Sequence, residues 1–215
     1  MVSPHHNQPV VLRGEPLETA AGAIVFLHGR GASAEDILGL AEEFDLGGAR
    51  IAYAAPQAAG NTWYPNSFLA PIRQNEPYLS SALESVAATI AQVGKAGLAL
   101  DKIALVGFSQ GACLATEFVA RHPARYAALV AFTGGLIGPE GTEFSHTGDL
   151  HGTPCFLGSG DPDPHVPWTR VQESAEVLRR LGGAVTLKRY PGMPHTVSRD
   201  EILEAGRLLA PFKKS

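Results

Sequence analysis

Apolar residues fall into short, nearly unbroken runs, set between longer stretches in which they recur every three to four positions. The runs cover 23–28, 51–55, 103–107, 127–132, 154–158 and 185–190. They lack the polar alternation of a half-solvated strand and so predict strands buried on both faces. Residues 10–13 predict an antiparallel edge strand. The periodic stretches 34–43, 78–96, 110–121, 169–181 and 199–209 predict amphipathic helices. Ser33 precedes Asp36 by three positions and Ser198 precedes Glu201 likewise, so both helix starts carry a capping signal, the second a capping box. Alternation of strand and helix predicts the α/β class, with a mostly parallel sheet and helices on both faces.

A chain of 215 residues is long enough for one sizeable core, and a single domain over 1–215 is expected. Two connections are long: 56–77, which holds Trp63, Tyr64, Phe68 and Leu69, and the glycine-rich 133–153. Long loops in compact domains tend to be functional. Neither has room for a separate cap domain, so an open site is expected.

The formal net charge of -4 is too mild to point to nucleic acid or to a membrane surface. No apolar run reaches the length of a membrane span. Residues 1–8 have neither a basic start nor an apolar stretch, so no leader is expected and the cytoplasm is the expected location. The two cysteines, Cys113 and Cys155, lie far apart and read as small buried hydrophobes in a reducing compartment. A monomer or homodimer is expected.

Gly107-Phe108-Ser109-Gln110-Gly111 follows an apolar strand and precedes a helix. This is the setting of a nucleophile elbow, where a serine stands on a sharp strand-to-helix turn and flanking glycines permit close approach. A serine hydroxyl needs a base, and the base needs an orienting acid. In the α/β-hydrolase order Ser, acid, His, His195 suits the base: it follows the last predicted strand and stands just before the helix capped by Ser198. Strand ends of this kind line one edge of an open sheet, where ligands bind. His165 reads as a rim residue. Asp161 and Asp163, each before a proline, compete as the acid, and their backbone setting does not separate them. An oxyanion needs two N–H donors, expected from Gln110 and from Arg30 in the glycine-flanked loop after the first core strand. The Arg30 side chain is expected in solvent, and His28 is expected to hold the loop by hydrogen bonds.

These segments, taken in order, resemble the phospholipase/carboxylesterase family of small α/β-hydrolases, which includes the acyl-protein thioesterases. The marks are Leu27-His28-Gly29-Arg30-Gly31, Trp63-Tyr64, Gly107 to Ala112, Asp163-Pro164-His165-Val166-Pro167 and Gly192-Met193-Pro194-His195. The resemblance implies an α/β-hydrolase fold without a cap domain and a triad of Ser109, Asp163 and His195, with Asp161 only a neighbour. It also implies an oxyanion hole at Arg30 and Gln110 and a place for Trp63 in the acyl pocket. The chain carries Ala32, Pro65 and Ser159 where many members have Asp, Asp and His, on what reads as the loops around the pocket. Trp63, Tyr64, Phe68 and Leu69 are expected to form an acyl wall. The expected activity is hydrolysis of short- to medium-chain carboxylic esters, with no cofactor and no metal. Acyl-protein thioesterase or lysophospholipase activity would use the same residues. A non-catalytic small-molecule-binding protein on this fold is the rival of another class.

Overall fold

The computed structural model describes residues 3–214. Met1 and Val2, part of the segment read above for a leader, and Ser215 lie outside the described residues. Seven strands form one sheet: β1 (Val10–Gly14), β2 (Gly22–Leu27), β3 (Ile51–Pro56), β4 (Ile103–Phe108), β5 (Ala128–Phe132), β6 (Pro154–Asp161) and β7 (Ala184–Pro191). Their spatial order is β1-β3-β2-β4-β5-β6-β7. Among the described strands only β1 runs antiparallel, pairing with β3 from Val10 opposite Pro56 to Gly14 opposite Ala52.

Among the described residues six α-helices accompany them: α1 (Ala34–Leu38), α2 (Leu40–Glu43), α3 (Tyr78–Lys95), α4 (Gln110–Arg121), α5 (Trp168–Arg180) and α6 (Arg199–Leu209). The alternating side chains of β2 supply both cores. Ala23, Val25 and Leu27 join α3, α4 and α5 on one face, while Ile24 and Phe26 join α1 and α6 on the other. Helices therefore cover both faces of the sheet, as the sequence pattern predicts.

Three elements depart from the sequence expectation. The helix expected over 34–43 is two helices, with Gly39 as the C-cap of α1 and the N-cap of α2. Strand β6 runs on to Asp161, three residues past its expected end. Gly158-Ser159-Gly160 carries turn chemistry, yet it pairs residue for residue with β7. Ser159 is consequently buried within a strand rather than on a loop around the pocket. Strand β7 is an edge, exposed at alternate positions, not a strand buried on both faces. No helix among the described residues is long and apolar enough to cross a membrane.

Candidate active site

Ser109 occupies the turn from β4 into α4 with φ 54° and ψ −118°. That left-handed conformation is costly for a residue with a Cβ, and such strain gathers where a side chain must be held out of the regular ladder. The glycines make it feasible. A Cβ at Gly107 would strike the Gly111 carbonyl, and a Cβ at Gly111 would strike the Leu27 carbonyl of β2.

His195 sits in the loop between β7 and α6. The Ser198 side chain accepts from the Glu201 N–H, and the Glu201 carboxylate accepts from the Ser198 N–H at 2.8 Å. This closed capping box fixes the start of α6 directly behind the loop. Gly160 fixes it from below, since a Cβ there would strike the Met193 carbonyl. His195 Nε2 lies 2.8 Å from Ser109 Oγ, and its Nδ1 lies 2.8 Å from Asp163 Oδ2.

The Asp163 side chain is wholly buried. Its Oδ1 accepts from the main-chain N–H groups of His165 at 2.8 Å and Val166 at 2.9 Å. Burial pushes the carboxyl pKa up, but these two N–H groups and His195 outweigh it and hold the group below the usual carboxylate value. Asp163 is thus an ionised acceptor with both oxygens engaged. Asp161 points elsewhere and forms an ion pair with Arg189 of β7. The two acids left open by backbone reasoning are separated here by direction alone.

Arg30 and Gln110 line the cavity beside Ser109, and neither main-chain N–H donates to an acceptor among the described residues. Their side chains grip one loop. Gln110 accepts from the Trp63 N–H at 2.9 Å and donates to the Tyr64 carbonyl at 2.8 Å. The Arg30 guanidinium donates to the Pro65 carbonyl at 2.9 Å, the Asn66 carbonyl at 2.7 Å and Thr62 Oγ1 at 3.0 Å. The Arg30 side chain is therefore a fastener, not a merely solvated group.

Behind this loop two buried histidines hold consecutive amides. His28 Nε2 accepts from the Ala58 N–H at 3.1 Å while its Nδ1–H donates to the Gly29 carbonyl. His5 Nδ1 accepts from the Ala59 N–H at 3.0 Å while its Nε2–H donates to the Trp63 carbonyl. Each ring needs one bare nitrogen, so both are neutral and their tautomers are fixed. Burial lowers both pKa values in the same direction. His28 thus holds its loop as expected. Nothing in the sequence linked His5 to this site, because the contact spans more than fifty residues.

The cavity has a volume of about 440 Å³. Tyr64 and Phe68 line it, but two residues expected in the acyl wall, Trp63 and Leu69, do not. Trp63 is completely buried and donates its indole N–H to the His28 carbonyl at 2.9 Å. An indole with both a partner and a full hydrophobic shell serves as the loop's root. Leu69 packs against the core. Phe108, Cys113 and Val166 line the cavity unforeseen, while Ala32 and Pro65, two of the departures from the family pattern, line it as their place on the surrounding loops implies. His165 stands at the rim, its ring edge-on to His195 at 4.8 Å. Burial pushes the Cys113 thiol up to about 12, so it stays protonated beside the serine.

A strand–serine–helix turn at the centre of a mostly parallel sheet, with acid and histidine at the carboxyl ends of the following strands, defines the α/β-hydrolase fold. The chain belongs to the phospholipase/carboxylesterase family, whose profile matches residues 7–210. A phospholipase/carboxylesterase from Dyadobacter fermentans is 44% identical, with a TM-score of 0.90 over 95% of this chain and 97% of that one. An acyl-protein thioesterase 1 from Debaryomyces hansenii is 31% identical over 116 residues, 53% of this chain and 50% of its own length. A putative esterase, NocK, from Nocardia uniformis is 28% identical over 201 residues, 92% of this chain and 52% of its own. The chain spans about half the length of these curated relatives.

Proposed function

We propose that the protein is a serine carboxylesterase that hydrolyses short- to medium-chain carboxylic esters through an acyl-enzyme on Ser109. The observation that carries this reading is the continuous relay Ser109 Oγ, His195 Nε2, His195 Nδ1, Asp163 Oδ2, with 2.8 Å at both contacts. His195 takes the Ser109 proton as Oγ attacks the acyl carbon, and Asp163 holds the ring in the tautomer that leaves Nε2 free to accept. The N–H groups of Arg30 and Gln110 receive the oxyanion. Water then repeats the attack on the acyl-enzyme and releases the acid.

The acyl group occupies the cavity lined by Tyr64 and Phe68. Its volume of about 440 Å³ is near the lower end of ligand pockets, which favours a short or medium chain. Acyl-protein thioesterases among the relatives support thioesters as a second substrate class for the same residues. Hydrolysis of p-nitrophenyl esters of increasing acyl length, with Ser109→Ala as the blank, tests the reading. Turnover lost in the variant and an optimum at short to medium length are expected. Equal rates in both proteins would overturn it.

A further inference from the structure

A second open space adjoins the far side of His195. It lies between α2 and α6 and has a volume of about 860 Å³. Leu40 forms one wall, Ile202 and Leu203 the other, and Phe108 and His195 close its inner end. Leu203 is 51% exposed, an apolar side chain with its face open to this groove. Phe108 and His195, with ring centroids 5.1 Å apart, are the two residues common to this groove and the acyl cavity.

The chemistry decides what the groove faces. His195 first takes the Ser109 proton as the Oγ–carbon bond forms. When the carbon–oxygen bond to the alcohol breaks, the electron pair stays on the departing oxygen, which takes that proton from Nε2. The departing oxygen must therefore come within about 3 Å of Nε2. Whatever it carries starts beside the His195 ring, at the boundary between the two spaces, while the acyl chain hangs from the carbon on Ser109.

Charge at the rim narrows the occupant. Asp45 is already paired with Lys213 at 2.9 Å. Glu43 and Arg199, of opposite sign, stand on facing lips. The groove thus presents no net sign to a charged head group, and beside the polar Thr196 and Ser198 it offers an apolar wall of Leu40, Phe108, Ile202 and Leu203. The geometry points to this groove as the alcohol subsite, selecting uncharged apolar alcohols, aryl or branched alkyl, through Leu40, Ile202 and Leu203. The assignment rests on the ester-hydrolase reading.

Two measurements test it on the full chain. The first compares kcat/KM for methyl and 2-naphthyl acetate, which share an acyl group. Leu203→Glu lowers the naphthyl-to-methyl ratio about tenfold, the scale of losing an apolar contact in a pocket. Leu12→Glu, a substitution at a similarly exposed leucine on β1, leaves the ratio unchanged. The second follows 2-naphthol binding by its fluorescence in Ser109→Ala, where adding Leu203→Glu weakens affinity about tenfold. A ratio or an affinity that stays the same overturns the assignment, as does a change in acyl-length preference instead. If no ester is turned over by the unmodified protein, the hydrolase reading fails, and naphthol binding still decides whether the groove takes an apolar alcohol.

Discussion

Replacing Asp163 by Asn removes one charge and almost no volume, so its effect isolates the hydrogen-bond pattern. Oδ1 accepts two main-chain N–H groups and Oδ2 accepts His195 Nδ1–H. An amide has one acceptor oxygen and one NH2. Keeping the oxygen on His165 and Val166 turns the NH2 toward Nδ1, which must then be the bare nitrogen. The imidazole proton moves to Nε2, where it points at Ser109 Oγ, and the base can no longer accept. The other orientation keeps the useful tautomer but sets NH2 against two N–H donors and loses two bonds to the neutral amide oxygen, about 1–3 kcal/mol. The first orientation wins. The expected result is a fall in kcat of about ten-thousandfold, or about 5.4 kcal/mol on the barrier, with little change in melting temperature. Asp161→Asn, which breaks only the partly exposed pair with Arg189, should stay within about threefold. Initial rates on p-nitrophenyl butyrate, with a thermal melt of each variant, make the test. An Asp163→Asn enzyme within tenfold of the unmodified one, or an Asp161→Asn enzyme that is the more damaged, would refute the tautomer argument.

Ser109→Ala should lower turnover about a millionfold if serine, histidine and acid act as a unit, measured by steady-state rates at high enzyme concentration. The histidine pair behind the loop gives stability a pH dependence. Burial lowers both pKa values, so below about pH 6.5 the unfolded chain takes protons first, and stability falls with acid by up to about 1.4 kcal/mol per pH unit for each histidine. Urea unfolding at pH 7.5 and 5.5 should show a larger acid loss in the unmodified protein than in His28→Asn, and equal losses would count against the clamp. Arg30→Ala removes three bonds to residues 62–66 and should cost about tenfold in kcat by loosening the loop beside the oxyanion donors, with the fold intact by circular dichroism. Trp63→Phe loses the indole bond to His28 and should cost about 1–2 kcal/mol of stability without moving the acyl-length optimum. Phe68→Ala, which widens the cavity, should move that optimum to longer chains in the p-nitrophenyl series.

Most of the fold was legible because its signals are local. Each buried strand must exclude polar residues from both faces, and each helix must repeat its apolar positions near every 3.6 residues. The elbow was legible for the same reason: Gly107, Ser109 and Gly111 answer to one turn, and their neighbours in sequence are their neighbours in space. The capping box at Ser198 and Glu201 spans four residues and was read correctly. What failed was read from composition where pairing decided. Gly158-Ser159-Gly160 looks like a turn, and β7 makes it strand.

The sequence by itself determined the class of fold, the strained serine and the loop that carries His195, since each follows from backbone rules acting over a few residues. Backbone rules left open which aspartate meets His195, and beyond the family resemblance only tertiary structure separates the two, because Asp161 and Asp163 share the same local chemistry and differ in which way β6 and the chain after it aim them. It also decided that Trp63 roots a loop while Tyr64 and Phe68 line the cavity. Burying an indole requires both a shell and a partner for its N–H, and here the partner is the His28 carbonyl. The pairing of His5 with His28 around Ala58 and Ala59 is of the same kind. A hydrogen bond between residues far apart leaves no period or motif in the chain, because what selects it is the meeting of two surfaces that exist only once the sheet has formed.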